Sequence, residues 1–262
     1  MNRARRPPPL VVAAALVGGA FFALPLVGIL QRAEWLHLLS DLRAPGVTEA
    51  FRLSLATSLG ATAVAVAFGF PLAWVLARTE VRGRSLLRGL VLLPMVLPPV
   101  VGGVALLQAF SLRSPIGSWL FDTFGIQFTF SSLGVVLSEA FVATPFFVIT
   151  VEAALRSVDQ RYEQVAAGLG ASRSTVFSRV TLPLVAPSVM AGAVLAWARS
   201  LGEFGATITF AGNIAGRTRT LPLAIYLALE SNPDAAIAMS LVLLTISFVV
   251  LVALRDRWLR LR

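Results

Sequence analysis

Charge is missing from long stretches of this chain. Residues 7–31, 53–77, 89–112 and 235–254 carry no Asp, Glu, Lys or Arg, and each reaches or exceeds the roughly 20 apolar residues a helix needs to cross a bilayer. Two further runs are broken only by isolated charges: 133–155 contains Glu139 and Glu152, and 184–211 contains Arg199 and Glu203. None alternates apolar and polar residues as a barrel strand does. Only 13% of the residues are charged, against about 25% in a soluble domain, so there is too little charge to cover a water-facing surface. The pattern predicts an all-α integral membrane protein. It has six transmembrane helices, near 10–30, 53–77, 89–112, 133–155, 184–211 and 235–254, in one domain over residues 1–262.

What is absent narrows the chemistry. All 22 basic residues are arginine, cysteine is lacking, and His37 is the single histidine. Without lysine there is no phosphate-gripping P-loop lysine and no Schiff base. Without cysteine there is no thiolate nucleophile, disulfide or Cys-ligated metal. One histidine cannot build a multi-histidine site, and His37 reads as a solvated or interfacial residue. No metal site and no catalytic constellation is expected.

The arginines sort by loop. The N-terminus, the 78–88 loop, the 156–179 loop and the C-terminal tail hold 15, while the alternate loops hold six. The positive-inside rule places the richer side in the cytoplasm. Both termini then face the cytoplasm, as an even number of spans requires. The net charge of +9 is therefore an orientation signal and not a nucleic-acid footprint. The first run, preceded by Arg3, Arg5 and Arg6, is longer than the 7–15 residues usual for a signal core and reads as an uncleaved anchor. Glu34 to Leu39 suggests a short interfacial helix on the outer side. Leu221 to Leu229, too short to span, suggests a re-entrant or surface helix.

Prolines interrupt the spans. Pro94, Pro98 and Pro99 fall within one apolar run that continues to Gly102 and Gly103. Each removes a backbone donor and bends or breaks a helix. Such backbone is tolerated at membrane depth against protein or a wet cavity, so this run either packs as a kinked helix or lines a path. In the fifth run Arg199 and Glu203 are four residues apart, on one face of a helix. Intramembrane charges face a bundle interior or a cavity and pair up. Two readings stay open: a structural ion pair, or a path or gate in which Arg199 attracts an anion and Glu203 holds it in place.

The longest loop on the arginine-rich side, residues 159–183, has its own architecture. Asp159 suits a helix N-cap, with Glu163 in the first turn, and Gly168 or Gly170 can end that helix. A second short helix runs from near Ser172 to Pro183, which opens the fifth span. Ala166, Ala167, Gly168 and Gly170 leave room for a close approach by another backbone. The product is a helix–glycine–helix elbow suited to docking a partner.

The spacing of this loop is similar to the EAA motif of ABC-importer permeases: Glu-Ala-Ala, three residues, Gly, nine residues, then Ile-x-Leu-Pro. Here Gln164, Val165 and Ala166 fill the first block, Gly170 follows, and Val180-Thr181-Leu182-Pro183 closes it. Gln164 replaces the Glu, with Glu163 beside it. The chain from about residue 50 to 255 resembles the molybdate/sulfate oxyanion group of that family. Arg199 to Thr207, including Gly205, and Leu97-Pro98-Pro99-Val100-Val101-Gly102 resemble the molybdate (tungstate) branch most.

The resemblance implies the type I importer permease fold in a bacterial cytoplasmic membrane. It makes Glu163, Gln164, Ala166, Ala167, Gly168, Gly170, Leu182 and Pro183 the coupling elements for two separate ATPase subunits, where ATP-Mg resides. Pro98, Pro99, Gly102, Arg199, Glu203, Gly205 and Thr207 become the path or gate. It also implies a homodimer and an oxyanion-binding protein meeting the 31–52 and 212–234 loops. The chain itself would be a translocation subunit and not an enzyme. Sulfate or thiosulfate is the alternative substrate. An ion-gradient-driven anion transporter is the alternative class, but it leaves the elbow spacing unexplained.

Overall fold

The computed structural model describes residues 8–258, and every regular element among them is helical. In chain order these are α1 (Pro9–Arg32), α2 (Leu38–Leu42), α3 (Pro45–Arg78), α4 (Arg84–Val96), α5 (Pro99–Phe110), α6 (Pro115–Phe124) and α7 (Ser132–Ser157). There follow α8 (Arg161–Gly168), α9 (Arg173–Val176), a π-helical segment (Phe177–Thr181), α10 (Leu182–Leu201), α11 (Gly205–Phe210), α12 (Leu221–Ser231) and α13 (Pro233–Trp258). Arg3, Arg5, Arg6, Arg260 and Arg262, which weigh in the sorting of loops by charge, lie outside the described residues.

Helix α7 is the axis. It packs along α3 on one side and α10 on the other, and their shared core contains Leu76, Phe147, Val148, Val151, Leu155, Val185 and Ala196. Phe147 sits between two glycines: a Cβ on Gly69 would lie 2.8 Å from its ring and one on Gly192 3.2 Å. Glycine at both positions brings the three backbones together around one aromatic ring. Helix α1, by contrast, is apolar on all sides, has no buried residue and touches little besides α13. A helix hydrophobic all round belongs either in a core or in lipid, and among the described residues nothing else covers it.

Among the described residues, five helical runs are long and apolar enough to cross a membrane: α1, α3, α7, the continuous stretch Arg173–Leu201, and α13. The bent pair α4 and α5 supplies a sixth when counted as one crossing. Several expected boundaries move. The second span begins at Pro45, eight residues ahead of the expected Leu53. The expected helix at Glu34–Leu39 is instead a turn at Trp35–His37 followed by α2, with the Ser40 hydroxyl donating to the His37 carbonyl. The Leu221 stretch forms α12, which buries Leu221, Leu223 and Ala224.

The third run, expected as one span, is broken. Its two halves meet at Leu97–Pro98 with a 119° bend. A residue before proline is driven out of the α region, and Leu97 and Pro98 are both extended, with ψ 136° and 131°. Pro99 then starts α5 at a position where its missing N–H costs nothing. Pro94 is accommodated within α4.

The fifth run also departs from expectation. Helix α10 stops at Leu201, and α11 begins after a break at Gly202–Phe204. At its other end Pro183 does not open the span, because the helix runs unbroken from Arg173 to Leu201. Proline at 183 offers no N–H to the ladder. One residue earlier the Leu182 amide reaches back to the Phe177 carbonyl, five residues away. That single π turn absorbs the proline without a break.

Candidate functional site

Two regions of the molecule carry features beyond packing. The first is where the broken helices meet. The start of α5 lies against α11, and the contact depends on small residues. A Cβ on Gly205 would fall 2.7 Å from the Pro99 Cβ, and one on Gly103 would fall 2.7 Å from the Thr209 Cβ and 2.8 Å from the Ala206 carbonyl. One on Gly102 would be 3.2 Å from the Phe141 ring of α7. Pro98 sits at the bend itself as the residue capping α5.

Polar side chains gather at the same break. Arg199 Nη1 meets Glu203 Oε2 at 2.6 Å; Glu203 is 1% exposed and Arg199 29%. The pair forms as expected, but not on one helix face, since α10 has already ended. Glu203 lies in the gap, and its Oε1 accepts the Ala206 amide at 2.9 Å, satisfying one of the orphan donors at the start of α11. One carboxylate thus joins the end of α10 to the start of α11. Thr207 pairs with Ser138 of α7 at 3.0 Å, and Thr57 of α3 donates to Glu139 Oε1 at 3.1 Å. The Trp197 indole N–H donates to Ser58 Oγ at 3.0 Å.

Helices α3, α7, α10 and α11 therefore converge on one polar cluster. Thr57, Ser58, Ser138, Glu139 and Trp197 were not among the residues singled out from sequence as path residues. Their signal was present: Ser54, Thr57 and Ser58 fall at i, i+3 and i+4 of an otherwise apolar helix, which puts three hydroxyls on one face. Among the described residues, no group of three or more His, Cys, Asp or Glu side chains is arranged to hold a metal.

The second region is the elbow. Helix α8 ends in a Schellman motif: the Gly170 amide bonds the Ala167 carbonyl at 3.0 Å, and the Ala171 amide bonds the Ala166 carbonyl at 3.1 Å. Gly170 takes φ +88°, a conformation in which glycine carries no Cβ penalty. Of the two candidate stop signals it is Gly170, and not Gly168, that turns the chain. Ser172 then caps α9 by accepting the Thr175 amide.

Tyr162, Val165 and Leu169 are 61%, 63% and 85% exposed. They leave apolar side chains in water beside polar neighbours on the same helix. Gln164, Ala167, Gly168 and Gly170 are exposed on the same turn and Ala166 is half-buried, while Leu182 and Pro183 are exposed where α10 begins. Glu163 behaves differently from its neighbours. It turns back toward the spans, accepting from Arg78 Nη2 at 3.1 Å and from Thr181 Oγ1 at 2.9 Å. A cleft of about 350 Å³ opens between the limbs of the elbow, bordered by Trp74, Gln164, Ala167, Arg173 and Phe177.

Two apolar runs are thus broken near their middle or end, one of them re-joined through the buried Glu203, and a helical elbow with an exposed small-residue turn lies at the other end of the same helices, the features of a polytopic membrane protein with interrupted spans. Residues 66–261 match the binding-protein-dependent transport system inner membrane component family, and the chain belongs to that family. It is 48% identical over 250 residues to the molybdenum transport system permease protein ModB of Mycobacterium tuberculosis, covering 95% of this chain and 94% of the relative. It is 38% identical over 227 residues to the sulfate transport system permease protein CysT of Escherichia coli, covering 86% and 82%. Its fold is similar to a chain of a bacterial ABC transporter that imports the acidic polysaccharide alginate, with TM-score 0.71, 18% identity and 95% of both chains covered.

Proposed function

We propose that this chain is the membrane permease of an ATP-driven importer that carries molybdate, with tungstate as a close analogue, across a bacterial cytoplasmic membrane. The observation that carries this reading is the 48% identity over nearly the whole chain to a molybdenum permease, ten points above the match to a sulfate permease. The elbow supports the mechanism. It faces the cytoplasm, as do both termini, and docks on a separate ATPase subunit. Two copies of the permease enclose the path, two ATPase subunits bind the two elbows, and an external binding protein delivers the oxyanion. ATP and its magnesium belong to the ATPase, and this chain performs translocation only.

In this account the ATPase subunits close on ATP and carry the elbows with them. The motion reaches the broken helices, where only short segments, α5 and α11, must shift. Arg199, partly exposed beside a buried Glu203, gives the path an attraction for a dianion. The neighbouring carboxylate keeps that attraction weak enough for release. Selectivity falls mainly to the binding protein.

The test is uptake by cells that lack their own molybdate and sulfate importers and express this permease with its ATPase and binding protein. Labelled molybdate should accumulate and be displaced by tungstate but not by a large excess of sulfate. Displacement by sulfate and not by tungstate would move the assignment to the sulfate branch.

A further inference from the structure

We propose that α3 is the rod that carries motion from the elbow to the broken-helix cluster, and that the Arg78–Glu163 pair is its coupling point. The inference rests on the importer reading above and extends it to particular residues. The elbow is fastened to the last turns of α3 through both limbs. From the first limb, Glu163 accepts from Arg78 Nη2; the Arg78 side chain is 8% exposed and that of Glu163 23%. From the second limb, the Phe177 ring packs edge-on against Trp74 and Phe70 of α3, with centroids 5.3 and 6.0 Å apart. Thr181, donating to the same Glu163 oxygen, ties the two limbs to each other.

The other end of the rod is equally specific. About six turns from Arg78 along the same helix, at about 3.6 residues per turn, Ser58 accepts from Trp197 of α10 and Thr57 donates to Glu139 of α7. Ser54 accepts the Leu221 amide at 2.6 Å. Helix α3 is unbroken from Pro45 to Arg78 despite Pro71. A rigid element with specific polar contacts at both places can carry coupling between them. Arg78 and Glu163 are positioning residues here. Their task is to make the elbow and α3 move as one body.

The experiment uses the complete complex, permease with ATPase and binding protein, in proteoliposomes. Molybdate uptake and ATP hydrolysis are measured for wild type, Glu163→Gln, Arg78→Glu, and the exchange Arg78→Glu/Glu163→Arg. The expected result is that Glu163→Gln retains the ATPase subunits on purification and still hydrolyses ATP. Transport per ATP falls about tenfold, the equivalent of about 1.4 kcal/mol of lost coupling. The exchange variant, which restores an opposite-charge pair, recovers most of that ratio. An unchanged ratio in both single variants overturns the proposal. So does loss of the ATPase subunits from Glu163→Gln, which would make Glu163 a docking residue. Failure of the importer reading is distinguishable, because wild type itself would then show no ATP-dependent uptake.

Discussion

Glu203 does two things at once: one oxygen meets Arg199, and the other accepts the Ala206 amide. Removing the cation alone leaves a carboxylate that is 1% exposed without its partner, a change that costs about 3–5 kcal/mol in buried sites. Arg199→Leu is therefore expected to unfold at a lower temperature in detergent than Arg199→Leu/Glu203→Gln, whose amide oxygen still accepts from Ala206. A double variant less stable than the single would show that the charge is not what the pair holds in check. Gly170 makes a different demand. Its φ is +88° and a Cβ there would meet nothing within 4 Å, so any penalty is one of backbone conformation, about 1–2 kcal/mol for an ordinary residue. Gly170→Asn, which tolerates this region, should keep most transport, and Gly170→Leu should lose it. Equal loss in both would point to space, not conformation, as the reason for glycine.

At the scale of elements, the breaks matter more than the spans. A disturbance near Pro98 was legible because adjacent prolines remove ladder donors, but the run read as one kinked span and its 119° break was not. The break at Gly202–Phe204 was not legible either. Its one local cue is a single glycine, and the gap is held open by Glu203 bonding forward to Ala206, a contact that spacing alone does not reveal. The π turn at Phe177–Thr181 was hidden for the opposite reason: Pro183 reads as a helix start, and only the surrounding packing lets the helix run through it. The elbow was readable in outline from its glycines, yet the inward turn of Glu163 was not, since Arg78 lies 85 residues away. Two neighbouring glycines separate packing from flexibility. A Cβ on Gly205 would meet Pro99 at 2.7 Å, whereas the nearest atom to one on Gly202 is 3.8 Å away. Overpacking of this kind costs about 1–3 kcal/mol. Gly205→Val should thus lower both thermal stability and transport, while Gly202→Ala leaves both near wild type.

For the whole molecule, the proposed placement of the elbow in the cytoplasm rests on arginine distribution, and the chain offers a clean way to check it. It contains no cysteine, so single cysteines can be introduced without a background. Ser178 in the elbow and Thr123 on α6 are both exposed. A membrane-impermeant maleimide should label Thr123→Cys in spheroplasts and Ser178→Cys only in inside-out vesicles. Labelling of both from one side would overturn the topology. Much apolar surface is left uncovered in a single copy. Helix α1 has no buried residue, and an apolar groove of about 600 Å³ runs beside the bend, bordered by Phe68, Leu90, Pro94, Leu106 and Phe141. Such surface suits lipid or a second copy of the chain, in keeping with the proposed importer of two elbows.

In the proposed function this chain moves an oxyanion inward at the expense of ATP hydrolysed by another subunit. The most direct measurement is labelled molybdate uptake by proteoliposomes containing the permease, its ATPase and the binding protein, with the energy source varied. Accumulation should require ATP on the elbow side and stop when the ATPase is omitted. Accumulation by the permease alone, driven by a proton or sodium gradient with no ATP present, would contradict that function.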